Sequence, residues 1–247
     1  EIASGDWSSD VCSSDLGLMA SAFILGNQFK NLRQTGSISV KGLAESHYTS
    51  TQGTWVIRVS GWGPTYNDAM AANQKNLNEA VRFLKAQGFA DENREITELD
   101  VSTHTDYYEN EKGETKSREN GFDASRAIRI STKELTKLQK ALTNIHQLVA
   151  NNQDISFGDP NYYLENLEQI KRELISKATQ DAHVRAEEFA KTSNVKVGVL
   201  KSASQGPFYI QAPNPDADDS SDYTGSYDTS TIEKKARLVV TIEYAIE

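Results

Sequence analysis

Segments with the period of a β-strand alternate along the chain with segments that have the period of an α-helix, and this succession most constrains the fold. Apolar residues occupy every second position from Leu238 to Ile246. Such alternation is typical of a strand with one buried face. Trp55, Ile57 and Val59 show the same period between glycine-marked ends, and the residues between them are apolar enough to predict a central strand.

Three segments have the helical period. The first begins after Thr65 and ends near Gly88, and its predicted inner face comprises Met70, Leu77, Val81 and Leu84. The second follows Ser131 and Glu134, which have the spacing of a capping box. The third is the longest, from about Leu164 to Thr192. Its predicted inner face comprises Leu167, Ile170, Leu174, Ala178, Ala182, Ala186 and Phe189.

The order of these segments predicts the fold class. A polar turn at Asn110–Glu114 separates two strand-like segments and predicts a long hairpin. The complete order is ββαββαβαββ, and its short connections favour an α+β fold with a mainly antiparallel sheet and three helices packed on it. No linker interrupts residues 35–247, so we interpret them as one domain.

The first 34 residues have a different character. Residues 1–16 include the string DWSSDVCSSDL, which has no structural period and resembles a translated sequencing adapter. We interpret them as an artefactual leader; the alternative is a natural disordered tail. Residues 17–34 open with the uncharged run Gly17–Gly26, which we interpret as a truncated membrane anchor or signal segment followed by a linker. The alternative for that run is a buried helix of the domain.

Charge and cysteine content exclude some classes of protein. The net charge is −9, and no cluster of lysine and arginine offers a surface for nucleic acid. Cys12 is the only cysteine, so an intrachain disulfide is impossible.

Several strings, taken in their order and spacing, resemble the SIMPL-domain family of bacteria over about residues 36–247. The strings are SISVKGLAE (Ser37 to Glu45), GFDASRAIRIST (Gly121 to Thr132) and KATQDAHVRAEEFAKTSNVKVGVLKSAS (Lys177 to Ser204). One departure is the segment Thr231–Lys235, which stands where many members carry a Pro-Gly pair. The resemblance implies export to the bacterial envelope, periplasmic or otherwise extracytoplasmic, as a secreted or membrane-anchored protein. It also implies assembly into oligomers in some members and a loose link to stress tolerance.

The residues themselves predict no catalytic, cofactor-binding or metal site. His47, His104, His146 and His183 lack metal-ligand spacing, and no phosphate-binding loop or nucleophile elbow occurs. Our leading hypothesis is therefore a non-enzymatic envelope protein that forms homo-oligomers or binds a partner through its strand edges. It contacts no nucleic acid, and it meets the membrane through the N-terminal segment only.

Two alternatives involve other chemistry. The first is a small-molecule or metal-ion binding module. It would use the acidic loop with Asp216, Asp218 and Asp222, or a groove formed by Tyr107, Tyr108, Tyr162, Tyr163, Phe208 and Tyr209. The second is a hydrolase that depends on His104 or His183. This hypothesis lacks an activated nucleophile beside a base in the sequence.

Overall fold

The structure is a computed structural model that describes residues 36–214 and 226–247. Within these residues it contains three α-helices, nine strands and one turn of 3₁₀ helix. In chain order they are β1 (Ser37–Thr49), β2 (Gln52–Gly63), α1 (Tyr66–Ala86), the 3₁₀ turn (Asp91–Asn93), β3 (Arg94–Ile96), β4 (Asp100–Glu109), β5 (Thr115–Thr132), α2 (Leu135–Asn151), β6 (Ile155–Phe157), β7 (Asn161–Tyr163), α3 (Leu167–Thr192), β8 (Val197–Gln211) and β9 (Glu233–Ile246).

The strands form two sheets. The larger has the order β3-β5-β2-β6, with β4 paired to β5 and β7 paired to β2, and all of these pairs are antiparallel. The smaller has the order β1-β9-β8. The α+β class, the antiparallel sheets and the predicted element order are confirmed. The short strands β3 and β7 add to the predicted pattern.

The described chain divides into two compact units. The central unit comprises Leu43–Ala178 and Gln205–Val239. The terminal unit comprises the described residues up to Gly42, together with Thr179–Ser204 and Val240–Glu247. The interpretations of residues 1–16 and 17–34 lie outside the described residues. In the described part of the chain, no helix has the length and apolar character needed to cross a membrane.

The core of the central unit lies between the larger sheet and helices α1 and α2. Its largest buried strand residues are Trp55, Ile57, Ile128 and Ile130. Leu84 from α1 and Leu138 from α2 join the same cluster. The alternation predicted for β2 is confirmed, because Trp55, Ile57 and Val59 are all buried.

Helix α1 begins and ends where the sequence indicates. The Thr65 hydroxyl accepts a hydrogen bond from the Asp68 backbone N–H, as an N-cap does. At the other end Gly88 has a positive φ, and the Gly88 and Phe89 N–H groups donate to Lys85 and Leu84. This pattern is a Schellman motif, in which glycine adopts the left-handed conformation without strain. Met70, predicted on the inner face, is exposed, because the buried face runs through Ala69 and Asn73 instead.

The capping box predicted for helix α2 is wrong. Helix α2 begins at Leu135, and Glu134 itself occupies the N-cap position without a side-chain cap. The Glu134 carboxylate instead accepts from Lys137, at 2.7 Å. The Thr132 hydroxyl accepts the Glu134 N–H, at 3.0 Å. The start of the helix is therefore displaced by three residues from the start that a Ser131 cap would require.

Helix α3 buries a line of alanines. Ala178, Ala182, Ala186 and Ala190 are all buried, which confirms the first three as part of the predicted inner face. Phe189 was predicted on this face, but 59% of its surface is exposed. Four residues after Ala186 comes Ala190, so the buried line continues there and Phe189 falls to one side of it.

Helix α1 and strand β2 approach each other closely at two glycines. A methyl group at Gly61 would lie 2.3 Å from the Asn73 backbone nitrogen, and one at Gly63 would lie 2.4 Å from that of Ala69. The same approach brings the buried Asn73 amide to the sheet. It donates to the Val59 carbonyl of β2 at 2.8 Å and to the Ala124 carbonyl of β5 at 3.1 Å.

Replacing Gly61 tests the importance of this approach. Gly61→Ala should lower the free energy of unfolding by about 1–3 kcal/mol or more, because the added methyl group meets helix backbone that must shift. Gly158→Ala is the matched control, since a methyl group there meets nothing within 4 Å. Urea denaturation measures both variants. Equal midpoints for the two would contradict the close approach.

Candidate functional site

Strand β8 forms an edge of the smaller sheet. It follows β9 in the strand order, and in the described part of the chain no further strand adjoins it there. Residues 199–205 are all exposed, although successive side chains of a strand point to opposite faces. Both faces of this stretch are therefore uncovered, together with one row of backbone hydrogen-bonding groups.

The terminal unit also exposes several large apolar side chains. Val184 and Phe189 on α3 and Val199 and Leu200 on β8 are exposed, with Val199 at 72%. In contrast, the neighbouring β9 buries Ile242 and Tyr244. Exposed apolar residues on a helix and on an edge strand are more typical of a contact surface than of a solvated one.

The β4–β5 hairpin is a second exposed strand pair. Its turn at Asn110–Glu114 is confirmed, and the Asn110 side chain accepts from the Lys112 and Glu114 N–H groups. Tyr107 and Tyr108 stand on β4 near this turn, and 75% of the Tyr107 surface is exposed.

The structure does not bring all the predicted aromatic residues into one groove. Tyr107 pairs with Ser117 near one end of β5, whereas Tyr162 pairs with Gly53, which lies opposite Thr132 at the other end. The positions of Tyr107 and Tyr162 along the sheet are therefore separated by about 15 residues of β5, or roughly 50 Å. Tyr162 is buried, and Tyr163 stacks on Tyr227 instead.

His104 lies between two carboxylates within the hairpin. Its Nδ1 atom is 2.6 Å from Asp123 and its Nε2 atom is 3.1 Å from Asp106. Asp106 also accepts from the Asn120 amide, at 2.7 Å. The hydrogen bond to Asp123, helped by the one to Asp106, raises the pKa of His104. The cluster sits where the β4–β5 register shifts, between Thr103 and Thr105.

The two contacts of His104 are more typical of a structural ion-pair cluster that joins β4 and β5 than of a catalytic base. A base that activates a nucleophile needs one ring nitrogen directed at that nucleophile. Both nitrogens of His104 face carboxylates, and they point in opposite directions, so the two acids cannot share one metal ion with the ring. His183 lies 3.4 Å from Glu187 through Nε2, and its ring rests against Tyr244.

A buried lysine in the central unit was missed by the sequence reasoning. The Lys234 side chain is 0% exposed, and its ammonium donates to the Asp228 carboxylate at 2.8 Å and to the Asp228 carbonyl at 2.6 Å. A signal existed in the sequence. Lys234 lies two positions before Ala236 and four before Leu238, so it continues the inward-facing register of β9, although the apolar alternation that predicts this strand begins only at Leu238.

Asp228 is fixed by several donors besides Lys234. The backbone N–H and hydroxyl groups of Ser230 and Thr231 all donate to its carboxylate. Burial raises the pKa of Asp228, but the hydrogen bonds from Lys234, Ser230 and Thr231 outweigh this effect and hold the pKa well below its ordinary range. The carboxylate and the ammonium satisfy each other, which is typical of a structural pair.

Within residues 36–214 and 226–247, no group of three His, Cys, Asp or Glu side chains is placed to bind a metal ion. The calcium hypothesis for Asp216, Asp218 and Asp222 lies outside the described residues.

The family model SIMPL, described as a protein of unknown function (DUF541), matches residues 38–244. A comparison with curated proteins finds no match.

Removing the acid of the buried pair tests its importance. Asp228→Asn should lower the free energy of unfolding by about 3–5 kcal/mol at neutral pH, because it leaves a buried ammonium without a counter-charge. Glu165→Gln is the matched control. Its partner Lys133 is exposed, so the change should cost about 1 kcal/mol or less.

The same pair predicts a pH dependence. The pKa of Asp228 is lower in the folded protein than in the unfolded chain, so its stabilisation is complete above the unfolded value of about 4. That stabilisation is lost as the pH falls further. In urea titrations, the difference in the free energy of unfolding between wild type and Asp228→Asn should therefore shrink from pH 5 towards pH 3. A constant difference would contradict the depressed pKa.

Proposed function

The chain belongs to the SIMPL family, and from this premise we propose that it is a non-enzymatic protein of the bacterial envelope that acts by self-assembly or by contact with a protein partner. A role in stress tolerance, which the family resemblance implies, is part of the same proposal. The single observation that carries it is the exposed edge of β8.

An exposed edge of this length is unusual in a monomer. A strand edge presents unpaired N–H and C=O groups, and proteins protect it with short strands, charges or a covering element. Strands β3, β6 and β7 have only three residues each, which limits pairing at their edges. Strand β8 has 15 residues, and its exposed stretch of 199–205 contains one charged residue, Lys201. Pairing with another chain would satisfy these groups.

The polar clusters support the non-enzymatic part of the proposal. The His104 ring engages two carboxylates, and Asp228 and Lys234 engage each other. In each cluster the side chains form hydrogen bonds with one another. A catalytic group needs an orbital or proton directed at a substrate.

The location in the envelope rests on the family resemblance and on the apolar run Gly17–Gly26. Immunodetection after conversion of the native bacterium to spheroplasts tests it. We expect the protein to appear with a periplasmic marker if it is released, or with the envelope membranes if it is anchored. Fractionation with a cytoplasmic marker would contradict the proposal.

Self-assembly is tested by size-exclusion chromatography with light scattering over a range of protein concentrations. We expect a mass that is a multiple of 27.4 kDa at high concentration, and a shift towards the single-chain mass on dilution if the exchange is fast. A mass of one chain at every concentration would count against self-assembly.

A further inference from the structure

The inference rests on the proposed self-assembly and names its surface. We infer that β8 pairs in antiparallel orientation with β8 of a second copy of this chain, about a two-fold axis that passes through Ser202. The two sheets would then join into one continuous sheet across the pair.

The exposed stretch determines where the axis lies. Residues 199–205 are exposed on both faces, and their midpoint is Ser202. A two-fold contact uses the same surface on both copies, and antiparallel pairing of one strand with itself is the arrangement that meets this condition. Centred on Ser202, the pairing joins Val199 to Gln205 of the second copy and uses every exposed residue of the stretch.

Neighbouring registers are less favourable. An axis through Lys201 would place the two ammonium groups directly opposite each other, which destabilises a strand pair. Proline has no N–H to donate. An axis through Ala203 would bring Pro207 opposite Val199, inside the exposed stretch, whereas the Ser202 axis places Pro207 opposite Val197, at the end of the strand. The Ser202 axis places each Lys201 opposite an alanine, Ala203 of the second copy.

Charge favours a second copy at this surface over other parts of the same chain. The net charge of −9 makes two copies repel each other over most of their surface. Residues 199–205 carry no acid and a single lysine. The neighbouring acid Glu243 of β9 accepts from the Ser202 hydroxyl at 3.3 Å and is attracted by Lys201, which limits its repulsion of a second copy. Val199 and Leu200 are adjacent and lie on opposite faces, so pairing would cover apolar surface on both sides of the joined sheet.

The register is tested by a disulfide. In a Cys12→Ser background, Ser202→Cys places two thiols opposite each other across the axis. Opposed Cα atoms of an antiparallel pair lie about 4.5–5.5 Å apart, within the range of a disulfide. We expect mild oxidation to give a covalent dimer for Ser202→Cys. The control Ser204→Cys, whose thiol would lie opposite Leu200 of the second copy, should give little covalent dimer. Equal crosslinking of both variants, or none for Ser202→Cys, would overturn the register.

A charge pair provides an independent measurement. In Ala203→Lys, the new lysine of each copy lies opposite Lys201 of the other copy, so two like-charge pairs form, one on each side of the axis. These pairs should weaken dimerisation roughly 5- to 30-fold. Ala203→Glu, the control of similar length and opposite charge, should dimerise at least as tightly as wild type. Sedimentation equilibrium at low and high salt measures both, and the defect of Ala203→Lys should shrink at high salt.

The outcomes separate the two proposals. If the unmodified protein sediments as a single chain at all concentrations, self-assembly itself fails. If it is oligomeric, but Ala203→Lys and Ala203→Glu associate equally and Ser202→Cys does not crosslink, then only the β8 interface fails. At protein concentrations where each protein is a single chain, the urea midpoints of the residue-203 variants should match that of wild type, because residue 203 is exposed.

Discussion

Helix α1 lies so close to strand β2 that neither Gly61 nor Gly63 can carry a methyl group without a shift of the helix backbone. This approach places the Asn73 amide against the carbonyls of two neighbouring strands, β2 and β5. The amide therefore ties the helix to the centre of the larger sheet by hydrogen bonds as well as by apolar packing. Since β5 also pairs with β3 and β4, the position of the long hairpin depends on the same contact.

The polar clusters depend on this frame in different ways. His104 and Asp123 are 19 residues apart in the chain and meet because β4 and β5 are paired with a register shift beside them. Asp228 and Lys234 are separated by six residues, but their contact is buried, so it depends on the surrounding elements to exclude water. The first cluster is exposed enough for solvent to weaken its attraction. The second is the costlier one to break, because each partner would be left with an unpaired charge.

The large apolar side chains of the terminal unit are divided between the buried face of β9 and exposed positions on α3 and β8. The alanine line of α3 fills its inner face, whereas Val184 and Phe189 on the same helix stay exposed. Strand β8 continues this contrast, since its stretch 199–205 has no covered face. The terminal unit thus exposes large apolar groups on a helix and on an open strand edge. Both are surfaces that contact with a second molecule can cover.

Periodicity alone determined the helices, the strands other than β3 and β7, and their order, because side chains alternate with period 2 in a strand and recur with a period near 3.6 in a helix. The Thr65 cap, the Gly88 stop and the Asn110–Glu114 turn were also predictable, since each involves only neighbouring residues. The tertiary structure decided the rest. It placed Ala190 rather than Phe189 on the buried face of α3, displaced the start of α2 to Leu135, and joined Lys234 to Asp228. These features depend on which elements are adjacent and in what register, and that information lies in long-range packing.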